Sequence, residues 1–314
     1  MPKITEIISE DLDIPEENII NAIRVAHSRF RIIKIPKKQG GNRIAIQCAA
    51  ELKPIQSWVN LNILSKLPIS DIATAFQAGT SINLNTQLHT NSLYSIRVDI
   101  ENFFPSIKFK DLLEALKNNK RTLDSWILES PTKDLIKKSC FDKNERLPVG
   151  YQTSPLISNI VMHPIDLEIK QRIDNDPDRF GDTTLTRYAD DFIFSTDKKG
   201  ACNEFLNEIN NLLKETKHPS LKIKREKTRF MSRNGGSTLI TGLRITNQGK
   251  VTVHSNYRSH VRLLLKLYKE DRLSPIDIPK LKGHLAFIRH ADPSLFTKLS
   301  FKYYKEISTL KQTN

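Results

Sequence analysis

TLTRYADDFIFSTD, from Thr184 to Asp197, sets two adjacent acids between runs that alternate apolar and polar residues. Alternation with period two is the pattern of a half-buried strand, so the segment predicts a β-hairpin with Asp190 and Asp191 at its tip. A carboxylate at the end of an apolar strand is costly to desolvate unless a positive charge compensates it. A divalent cation is the usual compensation, and hard oxygen ligands select Mg2+ or Mn2+ over zinc. An acidic hairpin standing alone also suits a solvated turn, so the reading depends on what else the chain supplies.

Two further segments bear on it. SLYSIRVDIENFFPSI, Ser92 to Ile107, reads as a strand that places Asp99 near its end and runs into a turn at Pro105. LPVGYQTSP, Leu147 to Pro155, leads into a helix with Ser154 as N-cap and Pro155 at its first position. That helix continues through LISNIVMHPIDLEIKQRI and is expected to kink at Pro164. Asp99 and Asp190 lie 91 residues apart. Two metal ions held by shared carboxylates can activate an attacking hydroxyl and stabilise a leaving pyrophosphate in an in-line displacement.

The composition narrows the class of partner. The chain has 314 residues, 38% hydrophobic and 27% charged, which is ordinary for a globular protein with a sizeable core. Lys plus Arg number 49 against 35 Asp plus Glu, a formal charge of +14 that points to a polyanionic partner. The last 65 residues, Lys250 to Asn314, hold 13 of the cations and 5 of the acids, a surplus of +8. Tyr257, Tyr268, Phe287, Phe296, Tyr303 and Tyr304 are interleaved with them. Such a mixture suits a solvated helical surface over an aromatic core; equally, cations can meet phosphates and aromatic faces can stack on bases. Cys48, Cys140 and Cys202 are far apart, which excludes a disulfide scaffold and fits a reducing cytoplasm. No apolar run reaches the roughly 18 residues of a membrane span, and the acidic N-terminus lacks the apolar core of a signal peptide.

Elsewhere the pattern is mixed helix and strand. A first helix is expected from Pro15, with Ile19, Ile23, Ala26 and Phe30 as its stripe. RFRIIKIPKKQGGNRIAIQ reads as two strands around a basic turn at Gly40 and Gly41. Glu51 to Leu67 reads as a helix with Ile55, Trp58, Val59 and Leu64 inward, and Cys202 to Glu215 as another. A strand is expected at Leu221 to Ile223, and helices over most of the tail.

Taken together, these segments resemble the reverse transcriptase family, and within it the bacterial retron enzymes. VDIENFFPSI is similar to the first palm motif, LPVGYQTSPLISN to the LPQG-type motif, and YADD to the signature tetrapeptide. KIKREKT, Lys222 to Thr228, resembles the next lysine-bearing motif, and ELKPIQSWVNLNIL the fingers helix. ITGLRI, Ile240 to Ile245, resembles the retron VTG box; NTQLH, Asn85 to His89, resembles the NAxxH element, with Thr86 where alanine is usual.

The resemblance implies an α+β, right-hand polymerase fold with fingers, a palm of antiparallel sheet plus helices, and a helical thumb. Residues 1–98 are expected as N-terminal helices and fingers, 99–249 as palm with a remaining fingers segment at about 105–155, and 250–314 as a basic thumb. It implies that Asp99, Asp190 and Asp191 are catalytic and hold two Mg2+ ions, or Mn2+. Arg43 and Lys37 (or Lys38) would meet the triphosphate, Phe104 would exclude a 2′-hydroxyl, and Lys227 would support the palm near the nucleotide. Val149 stands where glutamine is usual, and Gln152 is the candidate to compensate for it. Asn85, His89, Arg258, Arg262, Lys266 and Lys269 are the candidate nucleic-acid contacts. The implied activity is RNA-templated DNA synthesis from a 2′-hydroxyl of a structured non-coding RNA, consuming dNTPs and making RNA-linked single-stranded DNA (msDNA). An accessory effector protein and an anti-phage role go with it, without membrane contact. A catalytically dead RNA-binding module and a group II intron-like enzyme are the alternatives. With about 65 residues after the expected palm, against the order of 100 that a separate nuclease domain needs, no RNase H or integrase activity is expected of this sequence.

Overall fold

The computed structural model describes residues 3–36 and 40–312. Helix α1 (Ile4–Leu12) and helix α2 (Glu16–Arg24) precede a hairpin of β1 (Phe30–Pro36) and β2 (Asn42–Cys48), and α3 (Leu52–Asn62) follows. Next come α4 (Ile82–Leu88), β3 (Tyr94–Asp99), α5 (Phe103–Ser106), α6 (Phe109–Asn118) and α7 (Ser130–Cys140). The long α8 (Ser154–Asp174) and short α9 (Pro177–Phe180) lead to β4 (Thr183–Tyr188), β5 (Asp191–Thr196) and α10 (Ala201–Glu215). Strands β6 (Arg229–Ser232), β7 (Thr238–Ile240), β8 (Leu243–Ile245) and β9 (Val251–Val253) come before the closing helices α11 (Ser255–Lys269), α12 (Ile278–Ala291), α13 (Pro293–Lys302) and α14 (Tyr304–Gln312). No described helix is long and apolar enough to cross a membrane.

Among the described residues the strands form three antiparallel sheets: β1-β2, β4-β5-β3-β6 and β7-β8-β9. The four-stranded sheet carries the acids. Its central strands β3 and β5 bury Ile96, Val98, Phe192, Ile193 and Phe194 completely, as expected of strands covered on both faces. Helices α8 and α10 pack beside them, with Ile157, Ile169, Phe205 and Ile209 in the same core. The tail has a core of its own, built from Leu243, Val253, Val261, Leu265, Leu281 and Ile288 among others.

Several expectations are corrected. The acidic N-terminus is helical: Ile4 and Ile8, one turn apart, are buried, Glu10 is exposed, and Asp11 accepts a hydrogen bond from Trp58 Nε1 at 2.6 Å. Helix α2 ends at Arg24, and Phe30 opens β1 with its side chain exposed, so it is no part of a helical stripe. Pro105 lies inside the one-turn α5, not at a turn. Leu221 to Ile223 forms no strand; Ile223 makes one isolated bridge, to Ile100. The tail is mostly helical as expected, with the short β9 ahead of its helices.

Helix α4 is the joint between the sheet and the tail. His89, at its C-cap, meets Ser195 Oγ at 2.7 Å and Thr186 Oγ1 at 2.9 Å. Thr86 Oγ1 donates to Ile240 O at 3.2 Å, and Asn83 Nδ2 to His290 O at 3.0 Å. The loop before α8 docks on the β1-β2 hairpin in the same way: Ile46 N donates to Val149 O at 2.7 Å. Gly150 there has φ of +110°, and a Cβ on it would sit 2.8 Å from Ile46 O, so only glycine allows the approach.

Candidate active site

Asp99 closes β3 and stands directly opposite Asp191, the first residue of β5. Tyr188 pairs with Asp191, so Ala189 and Asp190 are a two-residue hairpin loop. Such loops require positive φ, and Ala189 adopts +56°. Holding an L-residue there costs about 1–2 kcal/mol. Ile100 N donates to Asp190 O at 2.9 Å, which draws the turn against the end of β3. Adjacent-strand pairing and this one bond bring Asp99 to the adjacent pair Asp190 and Asp191 at one end of the sheet.

Cations surround them. Lys227 Nζ meets Asp99 Oδ2 at 2.7 Å. Arg97 Nε lies 3.9 Å from Asp191 Oδ1, an attraction across a gap and not a hydrogen bond, and both atoms are buried without a hydrogen-bond partner. Burial raises the Asp190 carboxyl above its ordinary range, and the charge of Asp99 adds to the rise. Lys227 and Arg43 oppose it, which places the Arg43 charge within electrostatic reach of the turn. Burial pushes Asp191 up to about 6, with Arg97 opposing and Asp190 and Asp99 contributing. The donor set fits a hard divalent cation: it is all carboxylate oxygen, its members repel one another, and the Asp191 Oδ1 acceptor is buried without a donor. Among the described residues no three His, Cys, Asp or Glu side chains already close on one point; Asp99 is instead turned to Lys227.

A buried group lies beneath the turn. Arg187 and Asp166 are fully buried and paired, and Arg187 Nη1 reaches Ala189 O at 3.1 Å. Five residues after Asp99, the Phe104 ring is half-buried against Phe103 at 5.3 Å and Phe76 at 6.4 Å between centroids.

Residues 35–271 match the family model described as reverse transcriptase (RNA-dependent DNA polymerase). The chain belongs to that family. It is 36% identical over 280 residues to the retron Ec73 reverse transcriptase of Escherichia coli, covering 88% of each chain. The retron Ec83 reverse transcriptase of the same organism is 29% identical over 304 residues, covering 95% of this chain and 93% of that one. Among solved structures, the telomerase of Candida albicans in complex with a fragment of telomeric RNA superposes with a TM-score of 0.54 at 12% identity. That match covers 93% of this chain and 56% of the telomerase, and it supports the polymerase fold. The chain is thus a retron-type reverse transcriptase, an RNA-directed DNA polymerase with the mixed helix-and-strand, right-hand fold, and membership implies dependence on a divalent metal.

The remaining candidate residues of the reverse transcriptase divide by burial. Asn85 and His89 are 1% exposed and fully engaged inside the protein. The expectation that they touch nucleic acid is corrected, because neither side chain reaches the surface. Gln152 is also committed elsewhere: its amide donates to Lys53 O and to Ser57 Oγ at 2.9 Å, so it does not stand in for the missing glutamine at Val149. Val149 offers only its carbonyl, already taken by Ile46 N. Lys37 and Lys38 lie outside the described residues. On α11, Arg262, Lys266 and Lys269 are exposed and Arg258 is half-buried. Sequence reasoning missed Arg97, Phe76 and Arg187. The arginine directly before the YADD tetrapeptide was a visible signal, since a cation on an apolar strand demands a buried partner.

Proposed function

We propose that this reverse transcriptase copies a cognate structured non-coding RNA, starting from a 2′-hydroxyl of a guanosine in it, and leaves RNA-linked single-stranded DNA. The observation that carries the reading is the register that sets Asp99 opposite Asp191, with Asp190 bonded to Ile100. Asp99, Asp190 and Asp191 would hold two Mg2+ ions, with Mn2+ as a substitute. When bound, the ions supply charge stabilisation for the attacking oxygen, the α-phosphate and the departing pyrophosphate. Lys227 neutralises Asp99 until then and lies where it can turn toward a phosphate. Arg43 on the fingers hairpin faces the incoming triphosphate with a fork suited to phosphate oxygens. Phe104 lines the sugar side of the dNTP and leaves no room for a 2′-hydroxyl. The working division is fingers over 1–98 and about 105–155, palm over the rest of 99–249, and thumb over 250–314. The msDNA product and an accessory effector protein would act together in anti-phage defence in the cytoplasm.

Primer extension by the purified chain on its RNA, with Mg2+ and dNTPs, tests the reading. The wild type should extend, and Asp190→Asn should lose several powers of ten in rate, because charge stabilisation is most of the catalysis in phosphoryl transfer. Asp99→Asn should behave alike. RNA binding should survive in both. Substantial synthesis by Asp190→Asn sinks the site assignment.

A further inference from the structure

We infer that Arg187 is a positioning residue: through the Ala189 carbonyl it sets the Asp190 turn, and through Asn159 it ties that turn to the Phe76–Phe104 pair. The inference rests on the reading of Asp190 as a metal ligand.

Arg187 is fully buried, and its guanidinium is divided between two tasks. Nε and Nη2 bind Asp166 Oδ1 and Oδ2 at 2.7 and 2.6 Å, a two-pronged pair that cancels the charge. Nη1 is left to reach Ala189 O at 3.1 Å and Asn159 Oδ1 at 3.2 Å. The Ala189 carbonyl belongs to the peptide that leads into Asp190, so fixing it fixes the entry to the ligand. The grip is needed because Ala189 is in the left-handed region, where a side chain is unfavourable and the turn would relax.

The other branch runs the opposite way. Asn159 Nδ2 donates to Ala75 O at 3.0 Å, directly before Phe76. Phe76 also holds a left-handed φ of +63°, is 52% exposed, and faces the Phe104 ring at 6.4 Å. The backbone reinforces the connection: Arg187 N donates to Ile72 O at 2.6 Å, and Thr74 N to Arg187 O at 2.9 Å. Two strained backbone positions, one beside the acids and one beside the aromatic wall, thus share one buried cation.

Stability alone is a poor reason for such a pair. Desolvating both ions offsets their attraction, and apolar residues of similar volume often serve as well. Lysine could balance Asp166, but a point charge has no fixed fork to reach both carbonyl and amide.

The test uses the full chain with Arg187→Met/Asp166→Leu, which keeps volume and removes both charges together. Folding is followed by circular dichroism and thermal melting. Mn2+ binding is followed by the electron paramagnetic signal of the free ion, with Asp190→Asn as the reference for a lost ligand. We expect a folded protein whose Mn2+ affinity falls roughly tenfold, the scale of one displaced hydrogen bond to a strained carbonyl. Discrimination against ribonucleotides should fall as well. Arg187→Lys should shift both readouts in the same direction. A folded double variant, or a folded Arg187→Lys, with wild-type Mn2+ affinity and wild-type sugar discrimination overturns the inference. So does failure of both variants to fold, which would make Arg187 structural. A wild type that binds Mn2+ through Asp190 but extends no primer would instead sink the functional reading and leave the positioning role standing.

Discussion

At the scale of the residue, the sugar selection proposed for Phe104 rests on shape alone. Its ring is contacted on two sides, by Phe103 and by Phe76, which restricts its swing away from a bulkier nucleotide. Phe104→Ala should therefore raise incorporation of ribonucleotides relative to deoxyribonucleotides by about one to two orders of magnitude, the range of a pocket that gains or loses one small group. The ratio of kcat/KM for rNTP and dNTP in primer extension measures it; an unchanged ratio in an active variant would show that Phe104 only packs the core. Asp99, Asp190 and Asp191 were legible in the sequence because a charge that ends an apolar strand is visible without any partner. Gln152 was not. Its sequence neighbours suggest a nucleotide contact, whereas Ser57 and Lys53, nearly a hundred residues earlier, hold its amide. A polar side chain with several possible partners is assigned only by the fold.

Helix α4 shows the same limit at the scale of an element. NTQLH could be read as a polar surface motif, yet Asn85, Thr86 and His89 all face inward and hydrogen-bond to β4, β5 and the strand ends near Thr241. The elements themselves were more legible, since the β1-β2 and β4-β5 hairpins and α3, α8 and α10 follow apolar periodicity. Helix α1 escaped because its three acids hide a stripe of only two buried residues, Ile4 and Ile8. The burial of His89 has a consequence for pH. Its imidazole is pushed down to about 3 by burial, among hydroxyls that offer no charge. The unfolded chain protonates near 6.5, so between about 6.5 and about 3 it binds a proton that the folded protein does not. Stability on this account is lost as the pH falls through that window, by at most ~1.4 kcal/mol per unit. His89→Gln, which keeps one hydrogen bond and cannot titrate, should lose about 2 kcal/mol less than wild type between pH 7 and 5. Urea unfolding at both pH values measures the difference, and parallel losses would show that His89 is not the group responsible.

At the scale of the whole molecule, the uneven distribution of charge suits the proposed polyanionic partner. The tail carries +8 of the total +14, although it is about a fifth of the chain. At 100° per residue, Arg258, Arg262, Lys266 and Lys269 fall within one 80° arc of α11. Val261 and Leu265, which pack into the tail's core, border that arc, which is why Arg258 is half-buried while Arg262 and Lys266 stand clear. Lys266 is 3.8 Å from Glu270, an exposed pair too weak to withhold it from a phosphate. Screening acts on all such cations, so binding of the cognate RNA should weaken steeply with salt. Charge alone does not choose one RNA, so selection must come from shape, loops and 2′-hydroxyls that the cations merely bring into register. Arg262→Ala/Lys266→Ala should leave the acidic site and its core intact, since neither side chain touches them. It should lower affinity for cognate RNA and flatten the log-log salt slope by roughly 0.7 to 0.9 for each phosphate that the variant no longer neutralises. If both positions also help to select, the drop in affinity for cognate RNA should exceed that for a scrambled RNA of equal length, and initiation should fall with it. Equal affinity and equal slope in wild type and variant, measured on both RNAs across a salt series, would reduce this face of α11 to solvated charge and sink the proposal that the tail grips RNA as a thumb.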